Sequence, residues 1–140
     1  MNGRRLIVEA DGGARGNPGP AAFGAVVRDA TTGEVLTELA EPLGVTTNNV
    51  AEYRGLIAGL QAARQIDPQA SVEARLDSRL VVEQMSGRWK IKNRSLLQLA
   101  LQARDVLPAG QVTYRWVPRQ LNTHADRLLN AVLDAATRGW

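Results

Sequence analysis

The chain has no cysteine. That excludes disulfide bridges and thiolate metal sites, and it fits a cytoplasmic protein. It also has no run of apolar residues long enough to span a bilayer, so no membrane partner is expected. Residues 1–9 carry Arg4 and Arg5 but only a three-residue apolar run, Leu6 to Val8, which is not the pattern of a signal peptide. Internal repeats, linkers and low-complexity segments are absent. Two phosphate-binding signatures are missing too. The glycine-rich stretch D-G-G-A-R-G-N-P-G-P, Asp11 to Pro20, lacks the Gly-Lys-Ser/Thr of a Walker loop. It also lacks both the G-x-G-x-x-G spacing and the following helix of a dinucleotide fingerprint.

What is present is an ordinary globular composition: 140 residues, 44% hydrophobic and 22% charged, enough for one domain with an adequate core. The formal net charge is +3 and the isoelectric point about 9.9, a mild pointer toward a polyanionic partner. Arg88, Lys90, Lys92 and Arg94 alternate with Trp89 and Ile91. Basic residues interleaved with an aromatic suit a nucleic-acid contact, although a solvated connector between helices would look the same.

Periodicity predicts three strands at Arg5–Ala10, Ala22–Arg28 and Glu34–Ala40, then a helix from Asn49 to about Ile66. A fourth strand follows at 72–76, a short helix from Ser78 to about Met85, a helix at Ser95–Leu107, a fifth strand at 112–116 and a last amphipathic helix from Thr123 to about Thr137. The order βββαβααβα describes an α/β fold: a mixed five-stranded sheet, three antiparallel strands and then two parallel ones, flanked by helices. Asp11-Gly12-Gly13 is expected to turn the chain out of the first strand.

Four acids fall where a strand ends or a helix begins: Asp11, Glu52, Asp77 and Asp126. Singly, each has a structural explanation. Asp11 could cap a Gly-Gly turn, and Asp77 could be the N-cap of the helix after it. Glu52 lies three residues after Asn49 and Asp126 three after Thr123, both at capping-box spacing. Jointly they point elsewhere. If the strands ending at Asp11 and Asp77 are parallel neighbours, the two aspartates lie side by side where open α/β sheets bind ligands. Glu52 and Asp126 sit on the flanks of their helices' apolar stripes, from which each can reach the same sheet edge. Carboxylates about 4 Å apart repel by roughly 4 kcal/mol per pair at an effective dielectric near 20, so hard divalent cations are the natural neutralising partner. Thr46-Thr47-Asn48-Asn49, just before Glu52, places neutral donors and acceptors at a helix N-terminus, a setting that favours phosphate or simply caps the helix.

These segments together resemble a type 1 ribonuclease H: D-G-G-A-R-G-N-P-G-P with F-G-A beyond it, T-N-N-V-A-E, L-D-S-R-L-V and N-T-H-A-D-R-L-L-N, in the family's order and over nearly the whole chain. The likeness is to the short bacterial and archaeal form, because no room exists for the extra basic helix of longer bacterial enzymes. The resemblance implies the ribonuclease H-like fold. It implies an endoribonuclease that cuts the RNA strand of an RNA–DNA hybrid, leaving 5′-phosphate and 3′-hydroxyl ends, with two Mg2+ ions, or Mn2+ in their place. It puts Asp11 between both metals, Asp126 at the metal that activates water, and Glu52 and Asp77 at the metal near the leaving oxygen, with Glu52 also touching a ribose 2′-hydroxyl. Asn17, Thr47, Asn48 and Asn49 match positions near the hybrid, and the backbone of Gly12 and Gly13 would approach the RNA.

Departures from the family pattern are also visible. Longer members carry a histidine in the loop before the last aspartate for proton transfer or product release. Arg119 occupies that place here, while the only histidine, His124, is two residues before Asp126 and is expected to be an exposed first-turn residue pointing elsewhere. Arg79 stands where many relatives have glutamine and could contact phosphate. Double-stranded RNA is a second candidate substrate, and a monomer is the expected state. Residues 1–140 are read as one ribonuclease H domain, or as the N-terminal domain of a longer protein carrying a phosphatase downstream, with Trp140 at the boundary. Two other classes stay open: a hybrid- or double-strand-binding module without turnover, and a DNA-cutting relative such as an integrase core.

Overall fold

The computed structural model describes residues 3–138, so Trp140 lies outside the described residues. Strand β1 (Arg5–Ala14) is the organising element. Its first half reads as one apolar run because both faces are covered, as expected of a strand inside a sheet. It pairs antiparallel with β2 (Gly19–Asp29) and parallel with β4 (Ser71–Leu76). Strand β3 (Val35–Thr46) lies outside β2 and β5 (Val112–Trp116) outside β4, giving the order β3-β2-β1-β4-β5. The expected mixed sheet is therefore present, with the helical crossovers producing its two parallel pairings.

Helix α1 (Asn48–Ile66), α2 (Arg79–Met85) and α3 (Arg94–Val106) follow the predicted order, and α4 (Thr123–Arg138) closes the fold. Alternation along the strands decides which residues meet which helix. Leu6, Val8 and Ala10 of β1, with Val72, Ala74 and Leu76 of β4, join Leu56 and Leu60 of α1 in the main core. The opposite face of β2 packs against α4 through a smaller cluster, Ala22 with Leu129 and Leu133.

Two boundaries differ from expectation in ways that bear on the strand ends. Asp11 to Ala14 is strand, not turn: Gly12 and Gly13 pair with Phe23 and Ala22, and the loop is confined to residues 15–18. Gly12 is there for close approach rather than for bending, since a Cβ on it would lie 2.2 Å from the Ala51 carbonyl carbon of α1. β3 continues through Pro42 to Thr46, which an edge strand tolerates because one side of its ladder has no partner. Finally, β1 outlasts its pairing with β4, which ends at Ala10↔Leu76. Asp11 and Asp77 are each the next residue beyond that last pair, so they emerge side by side at the open end of the parallel strands.

Candidate active site

The helix starts remove three of the structural explanations for the acids. Thr47, not Asn49, caps α1, its hydroxyl accepting from the Val50 N–H at 3.3 Å, so Glu52 is not the fourth residue of a capping box. Ser78, not Asp77, caps α2 by accepting from Val81 N–H at 3.3 Å. α4 begins at Thr123 itself, so Thr123 does not stand at the cap position with Asp126 as its return partner.

Asp11, Glu52 and Asp77 each contribute a carboxylate oxygen to a set lying within 4.8 Å of one another. Asp126 stands outside this tightest set but lines the same cleft, about 390 Å³, and its carboxylate acts directly on that of Asp11. Electrostatics follow from crowding and burial. Loss of solvent, and then the charge of Asp77, push Asp11 from 3.8 up to about 8. Burial, then Asp11 and Asp77, drive Glu52 well above the carboxylate range, with the Gly12 N–H pulling weakly the other way. Burial also raises Asp77, against the charge of Arg119 and the side-chain amide of Asn122. One oxygen each of Glu52 and Asp77 is buried with no hydrogen-bond partner. Orphaned buried oxygens are rare unless something fills the gap. Hard carboxylate donors around a shared hollow are the ligand chemistry of Mg2+ or Mn2+, so the residues fit the metals the sequence implied. A larger hollow of about 680 Å³ lies between β3, α1 and α3, but none of the four acids lines it.

The other predicted residues divide. Asn48 and Asn49 line the acidic cleft, as do Gly13 and Arg119. Asn48 Oδ1 accepts from Ala14 N–H at 2.7 Å, and Asn48 N–H donates to Asn17 Oδ1 at 3.0 Å, so these side chains bolt α1 to the β1–β2 loop. Gly12 also lines the cleft, but it is buried beneath α1; Gly13 is the more open of the pair. Arg79 lies over the Trp116 ring at 5.3 Å from its centroid and 3.6 Å from Glu83, beside Asp77, whose carbonyl accepts from Trp116 Nε1 at 3.2 Å. His124 is not exposed: its side chain retains 20% of its accessibility, and both ring nitrogens are engaged, one by Arg28 and the other by Glu38. The reason is that its side of α4 lies over the sheet rather than in solvent.

Three contributors escaped the sequence reading. Asn122, 1% exposed, donates to the Ala10 carbonyl at 2.8 Å and places its amide beside Asp77. Its signal was its place immediately before a helix, which the reading gave to Thr123. Asn130, one turn beyond Asp126, donates to Asp126 Oδ1 at 3.1 Å, and its position at i+4 in N-T-H-A-D-R-L-L-N could have been noticed. Gly24, the strand partner of Asp11, lets α4 rest on β2: a Cβ there would be 2.3 Å from the Ala125 carbonyl oxygen.

Comparison with known proteins agrees with this geometry. Residues 9–132 match a family model described as reverse transcriptase-like. The chain is 52% identical over 135 residues to the bifunctional protein Rv2228c of Mycobacterium tuberculosis, covering 96% of this chain but only 37% of that protein's length. It is 39% identical to ribonuclease HI of Halobacterium salinarum, covering 96% of this chain and 67% of the relative. Among solved structures, the N-terminal RNase H domain of Rv2228c superposes with a TM-score of 0.90 at 52% identity, covering 98% of this chain and 99% of the other. LC11-RNase H1 in complex with an RNA/DNA hybrid superposes with a TM-score of 0.89 at 37% identity, covering 95% and 99%. With the motifs in order, the sheet order shared and the acids gathered at one strand end, the chain belongs to the type 1 ribonuclease H family.

Proposed function

We propose that this chain is an endoribonuclease that hydrolyses the RNA strand of RNA–DNA hybrids with divalent cations, Mg2+ or Mn2+, held by Asp11, Glu52, Asp77 and Asp126. The observation that carries the reading is the trio of carboxylates within 4.8 Å, two of whose oxygens are buried without a partner. In metal-free protein those groups favour protonation. Cations that offset the cost of ionising these buried, crowded carboxylates are suited to the site. Bound there, two cations would stabilise the entering and departing oxygens of an in-line displacement at phosphorus, giving 5′-phosphate and 3′-hydroxyl ends.

The protein's own groups supply position. Asp11, at the centre, acts on the other three acids. Glu52 is the carboxylate suited to a ribose 2′-hydroxyl, the group that separates RNA from DNA. Asn17 and Asn48 use their side-chain oxygens inside the protein, which leaves their amide NH2 groups as donors toward substrate. Gly13, more open than Gly12, is the better point for RNA backbone to approach. Thr47 and Asn49 complete the α1 end, Arg79 offers a phosphate contact, and Arg119 brings positive charge to Asp77 for substrate or product oxygens. The continuous sheet, with α4 on one face and the other helices on the opposite one, supports reading residues 1–140 as one ribonuclease H domain.

The test is a gel assay with end-labelled hybrid, with and without EDTA, and with duplex RNA and duplex DNA as competitors. Metal-dependent shortening of the RNA strand is expected. An intact, shifted band would instead mark a binding module, and cutting of duplex DNA a DNA nuclease.

A further inference from the structure

The one histidine of this chain has no place in the chemistry above, yet it is among the most constrained polar groups in the fold. His124 Nδ1 lies 2.7 Å from Arg28 Nη2, and its Nε2 bonds the Glu38 carboxylate. A guanidinium has donors only, so Nδ1 must accept; Nε2 then carries the proton and donates to Glu38. Arg28 is itself fixed, its Nε donating to Glu9 Oε1 at 3.1 Å and its Nη1 to the Gly33 carbonyl at 3.2 Å. Glu9, Arg28 and Glu38 come from β1, β2 and β3 respectively. Register puts all three on the α4 face of the sheet, because Glu9 pairs with Val26 and Val26 with Glu38, and Arg28 is two residues from Val26. Glu9 also precedes Asp11 by two residues on that same face.

The first turn of α4 therefore meets the sheet at two points. Ala125, fully buried, rests on Gly24, which sets the helix's height. His124 is gripped to one side of that pivot. Residues two apart on a helix differ by about 200° in direction, so His124 and Asp126 project to opposite sides of the axis. A roll of the helix that loosened His124 would swing Asp126 the other way relative to Asp11.

We propose that His124, gripped between Arg28 and Glu38, is a positioning residue that sets the roll of α4 and thereby presents Asp126 to the metal site. The inference rests on the reading of Asp126 as a metal ligand. The Glu9–Arg28–Glu38 row is the fixed frame, and α4 is the lever.

The test uses His124→Ala, His124→Gln, Glu38→Ala and Asp126→Asn in the full chain, read by steady-state cleavage of hybrid, by calorimetric titration of Mn2+ without substrate, and by thermal melting. Loss of an outer partner of a metal ligand typically costs about 10-fold to 100-fold in affinity or rate. His124→Ala and Glu38→Ala should each lower kcat by about tenfold, leave the hybrid KM unchanged and weaken Mn2+ binding by a similar factor. His124→Gln, whose amide can replace one of the two bonds, should recover most of both. Glu38 is half-exposed on an edge strand, so that variant decides the matter even if His124→Ala does not fold. If kcat and Mn2+ affinity in Glu38→Ala and in whichever His124 variants fold stay within twofold of the parent while Asp126→Asn is inactive, the positioning role is wrong. If Asp126→Asn cleaves like the parent, the ligand reading fails first, and the inference with it.

Discussion

Asp11 sits where its neighbours force a choice between a proton and a metal. Its carboxyl, ordinarily near 3.8, is raised to about 8 by burial and by Asp77, and Glu52 and Asp77 shift in the same direction. Between those two values the folded protein keeps a proton that the unfolded chain has released, so stability must fall as pH rises through the window. In EDTA the melting temperature should be highest near about pH 5 and decline toward pH 8, with saturating Mg2+ cancelling the decline because it favours the ionised acids. A metal-free melting temperature that climbs over this range would contradict the assignment. Asp29 and Asp67, whose carboxyls are lowered by hydrogen bonds from backbone N–H groups and from Arg4, are fully ionised throughout and do not disturb the comparison. Charge, not shape, is what Asp11 contributes. Asp11→Asn should thus reduce cleavage at saturating Mg2+ by at least about 1,000-fold, roughly 4 kcal/mol of barrier, while hybrid binding in a gel shift and the melt in EDTA are preserved or improved. Activity within tenfold of the parent would remove Asp11 from the chemistry.

The helices carry Glu52 and Asp126 to the strand ends, and glycine sets how close they come. α1 lies against Gly12 and α4 against Gly24, on opposite faces of the same two strands. Gly24→Ala would drive a Cβ to 2.3 Å from the Ala125 carbonyl oxygen and 2.9 Å from the Leu129 nitrogen, backbone atoms that can yield only by moving the helix. Overpacking of this kind typically costs about 1–3 kcal/mol. The expected result is a denaturation midpoint lowered accordingly and a kcat reduced beyond what the unfolded fraction explains, since Asp126 rides on α4; an unchanged kcat would show that the seating does not govern the site. This is also the scale at which the sequence is hardest to read. The four acids were legible because each stands beside a break in periodicity, and the strand order was legible because apolar runs and crossovers leave few topologies. Gly12 and Gly13 were misread as a turn, since a glycine that makes room for a helix some forty residues away looks like one that bends the chain. The caps were displaced by one or two residues for a similar reason: Thr46, Thr47, Asn48 and Asn49 are all good caps, and only the bonds from Ala14 and to Asn17 decide which of them begins the helix. His124 was placed in solvent because nothing in its local sequence announces Glu38 on a distant strand.

Across the whole molecule, the positive charge that would bind a polyanion is modest and partly committed. Arg4 pairs with Asp29, Arg15 with Asp134 and Arg28 with Glu9, while Arg88 is drawn to Glu83. Of the basic stretch between α2 and α3, Arg94 begins α3, which leaves Lys90 and Lys92, both exposed, in the connector itself. They lie outside any helix or strand, with Ile91 packed on the core between them and Trp89 still 47% exposed. With Ile91 turned to the core, the exposed lysines on either side of it can face one strand of substrate. The chain also spans only 37% of the length of the mycobacterial relatives it matches. For this chain the expectation is quantitative. Each lysine that neutralises a phosphate steepens the logarithmic dependence of affinity on salt by about 1. Lys90→Ala with Lys92→Ala should raise the hybrid KM at low salt, flatten the salt dependence by roughly 2 in slope, and leave kcat at saturation unchanged, equally for hybrids of different sequence. If the slope is the same as the parent's, the connector does not touch the substrate, and the basic surface that does must lie along the Arg79 and Arg119 side of the cleft.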